Sequence, residues 1–245
     1  MEASYKALCS DFYVNQKLSV KLDLPSTRET VLDLFERVRR AYPSMQSFRR
    51  YEDELALESD AASMPHRWLA IRPAHIRSGV VNPETLEDAY GLHRCVLEVA
   101  PYFLSISPLD IEFIELLFGF DLHATGNHDA IVASALVSDS ALGALLDVEG
   151  ATPVDFQPLF GLRLGGADEG VEAHFEVKTR RGSDESRPDP ISVYLTMRQF
   201  DPGVSLEDLP GVLARLAGEG QRLVESTLVP SFLVPLRSAI AAMGS

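Results

Sequence analysis

FIELLFGFDLHATGNHDA, residues 113–130, contains the longest alternating stretch of the chain and decides how its fold is interpreted. From residue 114 to residue 122 an apolar side chain occupies every second position, the period of a β-strand with one buried face. A polar turn follows, and Asn127 is a favourable N-cap for a helix that starts at about residue 128. The stretch therefore predicts a long strand that turns directly into a helix.

An earlier part of the chain repeats this plan. LSVKLDL, residues 18–24, alternates apolar and polar positions, and an amphipathic helix follows it. LDLPST (22–27) aligns with FDLHAT (120–125), and three later pairs of short segments align in the same order. These pairs are RETVL (28–32) with HDAIV (128–132), WLAIR (68–72) with YLTMR (194–198), and TLED (85–88) with SLED (205–208). The alignments predict an internal duplication.

The duplication predicts the fold class. We expect an α+β protein of two β-α-β-β-β-α halves, residues 12–105 and 106–243, packed as one unit. The strands should form antiparallel sheet that helices cover on one face, either joined edge to edge or with each half gripping its own long helix. A long C-terminal helix should end the chain, with breaks near residues 218–220 and at Pro230 and Pro235.

Two resemblances accompany this plan. The element order is similar to the saddle of the TATA-binding protein, in architecture only, since a fold does not carry a function with it. The first helix ending at Tyr42-Pro43, the long central strand and the late strand before a long helix resemble an uncharacterised, sporadically distributed bacterial family of similar length. This second resemblance implies a bacterial protein and implies no activity.

Composition limits the classes of function. The 245 residues include 22 Lys and Arg against 36 Asp and Glu, a formal net charge of −14. Such a surface repels phosphate backbones and anionic lipids, so nucleic-acid and membrane partners are not expected. Two cysteines, the lack of a signal-peptide pattern and the lack of an apolar run of membrane length predict a cytoplasmic protein.

Charge is also divided along the chain. Acidic residues predominate in residues 98–155, where no Lys or Arg occurs, and arginines cluster in residues 37–50. The two segments are either ordinary solvated surfaces or an acidic and a basic patch that meet across an interface. The second interpretation predicts a protein partner or a homodimer.

Two pairs of residues at equivalent repeat positions are candidate ligand contacts. Arg72 and Arg198 follow the same aromatic-Leu pattern, and Trp68 and Tyr194 begin it. Two guanidinium groups suit an anionic group of a ligand, whereas the alternative is a pair of structural ion pairs. The aromatic residues either pack in the fold or support the same ligand.

Four further polar residues are candidates for a site. His93 lies on the predicted core stripe of the second helix, where it is either packed or lines a pocket between sheet and helices. Asp121, His123 and His128 are ligand types that suit a divalent metal ion such as zinc. The alternative for these three is a strand–helix corner whose polar groups cap the helix.

No recognised catalytic or nucleotide-binding motif accompanies these residues. We therefore expect a non-enzymatic binding or interaction protein that acts through the open face of its sheet and uses no cofactor. The first alternative is a small-molecule-binding protein or modest enzyme with a pocket near His93. The second alternative is a divalent-metal site at Asp121, His123 and His128.

Overall fold

The computed structural model describes residues 5–25, 27–165, 170–179 and 190–243. The strands of this part of the chain are β1 Asp11–Val20, β2 Met45–Arg50, β3 Leu55–Ser59, β4 His66–Arg72, β5 His75–Val81, β6 Ile111–Leu122, β7 Leu159–Leu164, β8 Val171–Thr179 and β9 Ile191–Phe200. The α-helices are α1 Arg28–Ala41, α2 Leu86–Phe103, α3 His128–Val137, α4 Leu209–Leu223 and α5 Val234–Met243.

All nine of these strands join one antiparallel sheet in the order β2-β3-β4-β5-β1-β6-β9-β8-β7. The central pair, β1 and β6, connects the two predicted halves, with register from Asp11 opposite Asp121 to Val20 opposite Ile111. The predicted α+β class, antiparallel sheet and long C-terminal helix are confirmed. The first half supplies five strands and the second four, whereas four were predicted in each half. The additional strand is β5.

Two polar residues in the core explain why β1 and β5 were misjudged. Gln16 of β1 and Ser78 of β5 are 1% and 0% exposed, at positions where an apolar residue would mark a buried face. Their polarity interrupts the period-two pattern on which the strand prediction depends. β1 therefore begins seven residues before the predicted strand 18–24 and ends at Val20.

The predicted equivalence of Arg72 and Arg198 is wrong in the sheet. β9, which carries Arg198, pairs directly with the central strand β6. β4, which carries Arg72, is separated from the central strand β1 by β5. WLAIR and YLTMR therefore occupy different positions relative to the centre, and so do Trp68 and Tyr194. The undetected strand β5 is the cause of this misalignment.

One face of the sheet is buried beneath the helices. Along β1, Val14 and Leu18 are buried, whereas the alternate residues Tyr13 and Lys17 are only half-buried. We call the half-buried face the open face. Its side chains include Tyr13, Asn15, Lys17, Ser19, Trp68, Arg72, His75, Arg77, Phe113, Glu115, Asp121, Ser192, Tyr194, Thr196 and Arg198.

The C-terminal helix has no break at its glycines or prolines. A π-helical segment, Val224–Leu233, joins α4 to α5, and its wider turns accommodate Pro230, which has no N–H to donate. By length and composition alone, Leu206–Met243 is long and apolar enough to cross a membrane. The sequence does not predict this continuous segment, because Pro230 and Pro235 are typical of helix ends. Its buried leucines are Leu209, Leu213, Leu216, Leu223, Leu228, Leu233 and Leu236.

Candidate binding site on the open face of the sheet

Two aromatic rings lie against the open face because each has a glycine opposite it on the neighbouring strand. Trp68 pairs with Gly79, and Tyr13 pairs with Gly119. A Cβ atom at Gly79 would lie 2.3 Å from Cε2 of Trp68, and one at Gly119 would lie 2.1 Å from Cε2 of Tyr13. The glycines thus allow the rings to rest on the backbone.

A group of basic side chains lies beside Trp68. It surrounds a cavity of about 350 Å³, which we call the cationic pocket. The residues that line it are Asn15, Gln16, Lys17, Trp68, Arg72, His75, Arg77 and Glu115. This volume is at the small end of the range of ligand pockets in proteins, about 300–1,000 Å³.

Positive charges are placed next to one another in the cationic pocket. Lys17 is the cross-strand neighbour of Arg77 on one side and of Glu115 on the other. Its ammonium makes no ion pair within the described part of the chain and lies 5.1 Å from the centre of the Phe113 ring. Glu115 is bound instead by Arg198, whose Nε lies 2.8 Å from Oε2.

The two arginines of the cationic pocket donate hydrogen bonds to the same carboxylate. Oε2 of Glu54 accepts hydrogen bonds from Nε of Arg72 at 2.7 Å and from Nη2 of Arg77 at 2.5 Å. Burial, and after it the charges of Lys17, Arg77 and Arg72, lower the pKa of His75 to about 4. His75 is therefore neutral near pH 7, and its low pKa reflects burial first and the neighbouring positive charges second.

Three residues that line the cationic pocket each have a buried polar atom without a hydrogen-bond partner among the described residues. The atoms are Oδ1 of Asn15, an acceptor, and Nε2 of Gln16 and Nε of Arg77, both donors. Buried polar atoms in folded proteins are nearly always hydrogen-bonded, so each such exception needs an explanation. All three atoms are closed off from solvent, and Oδ1 of Asn15 lies beside Gly79 and the Trp68 ring, so a molecule in the pocket does not touch them directly.

A second polar cluster on the open face surrounds Asp121. Its Oδ1 accepts hydrogen bonds from Tyr13 Oη at 3.2 Å and from Ser192 Oγ at 2.7 Å. The Tyr194 ring meets the Tyr13 ring edge to face, with 6.4 Å between centroids. Burial raises the pKa of Tyr13, and Tyr194 and Asp121 raise it further. The structure thus brings together Tyr194 and Asp121, which the sequence had assigned to different sites.

The predicted metal ligands do not form a shared site. His123 is exposed, and its backbone N–H donates to Ser10 Oγ. Nε2 of His128 lies 3.1 Å from the carbonyl oxygen of Ala124, and Asp121 accepts hydroxyl groups as described above. Within the described ranges, no group of three His, Cys, Asp or Glu side chains is placed to hold a metal ion.

The corner between β6 and α3 instead has the geometry of a capped helix start. The side chain of Asn127 accepts the N–H of Ala130 at 3.0 Å, as the corner interpretation predicts. Asp129 is 6% exposed and accepts the Phe156 N–H at 2.9 Å and the Thr179 hydroxyl at 2.6 Å. These bonds connect the corner to β8 and to the segment before β7.

His93 lies in the core, on the opposite side of the sheet from the cationic pocket. It is 0% exposed, and its Nδ1 lies 2.8 Å from Oγ of Ser78. The Ser78 hydroxyl donates its hydrogen to Oε1 of Gln16 at 3.2 Å. Burial lowers the pKa of His93 to about 3, so the ring is neutral at physiological pH. Gln16, Ser78 and His93 form a buried polar triad between β1, β5 and α2.

Sequence reasoning found Trp68 and Arg72 but missed Lys17, His75 and Arg77. A tight turn joins β4 to β5 and places His75 directly opposite Arg72. Recognition of β5 as a strand would have placed His75 and Arg77 on one face of it, and Lys17 joins them through the pairing of β1 with β5. Arg198 lies at the border of the pocket, where it holds Glu115.

No protein-family model matches the chain, and no curated protein matches it at a significant level.

Proposed function

We propose that the chain is a non-enzymatic binding protein and that its binding surface is the open face of the sheet, with the cationic pocket at the centre of recognition. The observation that carries this proposal is a concentration of positive charge on a protein of net charge −14. An acidic surface repels anions in general, so a local cationic pocket selects where an anion binds. The ligand class that fits is therefore anionic.

The side chains of the cationic pocket support binding rather than bond making. Its lining contains no Ser, Thr, Cys or Tyr that could act as a nucleophile. The low pKa of His75 makes it a weak base near neutral pH. Two guanidinium groups and one ammonium group are well suited to hold an anion through charge-assisted hydrogen bonds.

A thermal-shift screen tests this proposal. Purified protein is melted with matched sets of anionic, neutral and cationic metabolites, in the wild type and in Lys17→Met. The matched control is Lys21→Met, because Lys21 is half-exposed and pairs with Asp201 at 2.8 Å, outside the pocket. We expect a rise in melting temperature with anions only, lost in Lys17→Met and kept in Lys21→Met. A rise that survives Lys17→Met, or none with any anion, contradicts the proposal.

A protein partner at the same face is the second candidate function. The observation that favours it is the cluster of Tyr13, Asp121 and Tyr194, which extends the polar aromatic surface beyond the pocket. Thr196→Lys adds bulk and charge at the middle of the open face, and Thr227→Lys does the same on the helical side. A protein partner that the wild type and Thr227→Lys capture but Thr196→Lys does not would support this candidate. A partner that both variants capture equally would reject it.

A further inference from the structure

We infer that the chain forms a two-fold symmetric dimer, in which the edge strand β7 pairs with β7 of a second copy in a register centred on Gly161. β7 and β2 lie at the two ends of the strand order. An edge strand presents unpaired N–H and C=O groups to which another strand can bind. The inference is independent of the proposed function, because β7 contributes no residue to the cationic pocket.

The pairing of β7 with β8 shows which backbone groups of β7 point outward. The Val177 N–H donates to the carbonyl oxygen of Pro158 at 2.9 Å, so these residues form a hydrogen-bonded pair in the register of the ladder. Hydrogen-bonded pairs alternate along an antiparallel ladder. The N–H and C=O groups of Leu159, Gly161 and Arg163 therefore point away from β8. Among the described residues, no backbone group from another segment bonds to these three.

β7 lacks the features that protect the opposite edge of the sheet. β2 has an irregular register with β3 near its start, and it ends in Arg49 and Arg50. Bulges and charges of this kind discourage the addition of a further strand. β7 pairs with β8 without a register shift, and its single charged residue, Arg163, is paired with Glu172 at 3.2 Å. Residues 156–165 also contain no Asp or Glu, in a chain whose net charge of −14 makes two copies repel each other.

The apolar side chains of β7 are not covered by the helices. Phe160 and Leu162 are 62% and 39% exposed, although their cross-strand neighbours Phe175 and Ala173 are buried in the core. The apolar side of the sheet thus continues onto β7, past the point where its cover ends. A strand added at this edge would extend the core as well as the backbone ladder.

A second copy fits this edge because β7 matches itself in antiparallel orientation. With Gly161 opposite Gly161 of the second copy, Leu159 lies opposite Arg163 of that copy. All three outward-pointing residues then exchange backbone hydrogen bonds, about six in total. Phe160 lies opposite Leu162 of the second copy, in a non-hydrogen-bonded pair, where side chains approach most closely. No like charges are opposite each other, and the contact has the self-complementary form of a two-fold interface.

The size of this contact sets the expected affinity. One pair of six-residue strands buries less than the roughly 1,600 Å² of a standard stable interface. We therefore expect a reversible dimer with a dissociation constant on the order of 10 µM, which dilute protein does not form.

Sedimentation velocity of the full-length chain from about 1 µM to about 500 µM tests the dimer, since this range spans the expected dissociation constant. Phe160→Lys places a charge opposite Leu162 of the second copy. Phe48→Lys is the matched control, because Phe48 is 50% exposed and lies on the other edge strand, β2. We expect a concentration-dependent dimer in the wild type and in Phe48→Lys, and a monomer throughout in Phe160→Lys. Circular dichroism of dilute samples verifies that each variant is folded.

Disulfide formation between two different variants tests the register. Phe160→Cys of one copy and Leu162→Cys of another would lie about 4.5 Å apart between Cα atoms, within the range that a disulfide spans. Two cysteines at residue 160, or two at residue 162, would lie about 8 Å apart, beyond that range. The mixed variants should therefore form a cross-linked dimer on oxidation, and each variant alone should not. The wild type supplies the background from Cys9 and Cys95.

Two results would overturn the inference. One is a wild type that stays monomeric at every concentration, which would leave the edge to an extended segment of a different protein. The other is a dimer that Phe160→Lys retains or that Phe48→Lys abolishes equally. Cross-linking of each cysteine variant alone, as strong as in the mixture, would contradict the register centred on Gly161.

Discussion

Lys17 on β1 and Arg77 on β5 are direct cross-strand neighbours, so two positive charges face each other in the middle of a sheet. Like charges in this relationship destabilise a sheet, by up to about 1 kcal/mol. Glu54 offsets part of the cost through Arg77, and Glu115 is engaged by Arg198. Local rules of stability are most often broken at functional sites, and the cationic pocket fits that pattern.

The first prediction concerns the stability cost of this pair. Lys17→Met removes the repulsion from Arg77 and should raise the free energy of unfolding by about 0.5 kcal/mol. Urea denaturation at low ionic strength measures the change, with Lys21→Met as the control for loss of a lysine. A decrease of more than about 1 kcal/mol in Lys17→Met would show that the lysine stabilises the fold instead.

The second prediction concerns the ring above Gly79. In Gly79→Ala the new Cβ would lie 2.3 Å from Cε2 of Trp68, so the indole must move. We expect a loss of about 1–3 kcal/mol in the free energy of unfolding and a shift of the tryptophan emission maximum. Unchanged stability together with an unchanged spectrum would mean that the ring does not rest on the glycine.

The third prediction compares two glycines of α4 that are two residues apart. Gly218 has open space around the position of a Cβ, whereas a Cβ at Gly220 would lie 2.4 Å from Cε2 of Phe118. Gly218→Ala should stabilise the protein by about 0.5–1 kcal/mol through helix propensity. Gly220→Ala should destabilise it by about 1–3 kcal/mol, because the helix is pressed away from the sheet. Chemical denaturation that gives both variants the same sign would refute this packing.

The fourth prediction concerns pH. The pKa of His93 is lowered to about 3 in the fold, while an unfolded histidine has a pKa of about 6.5. Below pH 6.5 the unfolded chain therefore binds a proton that the folded protein does not, and stability falls as the pH falls toward 3. Between pH 7 and pH 5 this residue should cost about 2 kcal/mol.

His93→Leu supplies the comparison for this pH dependence. The difference in unfolding free energy between wild type and variant is measured at pH 7 and pH 5, which cancels the contribution of the other histidines. A difference that does not change with pH would show that His93 titrates normally in the fold.

The fifth prediction concerns the apolar C-terminal segment. Leu228, Leu233 and Leu236 are buried in the core, and the net charge of −14 repels anionic lipids. We expect the folded protein to stay unbound in a flotation assay with phosphatidylglycerol vesicles. Flotation at neutral pH and moderate salt would show that Leu206–Met243 acts at a membrane.

The sequence predicted those parts of the fold in which apolar residues repeat at a regular interval. The strand of residues 114–122 is an example, because its buried side is apolar throughout. Gln16 and Ser78 sit on the buried side of their strands and hydrogen-bond within the core, which hid β5 and the start of β1. Their hydrogen bond joins segments that are distant in the chain and offsets the cost of burying two polar side chains. The local sequence does not reveal this bond.

The same limit applies to the candidate site. Trp68 and Arg72 were selected for a supposed repeat position that the sheet order does not support, although both do line the cationic pocket. Lys17 joins them only because β1 pairs with β5, which places it opposite Arg77, 60 residues further along the chain. Pairing of that kind is a property of the sheet topology and has no short-range signal.

The most direct test of the central claim is the NMR signal of the Arg77 side-chain Nε–H during titration with phosphate. Arg77 lines the cationic pocket, and its Nε is closed off from solvent with no acceptor among the described residues. We predict that phosphate shifts this signal and the indole N–H of Trp68 along one saturable curve, while Arg237, on α5, stays unchanged. A titration that leaves the Arg77 signal in place, or moves Arg237 equally, would contradict an anion site on the open face.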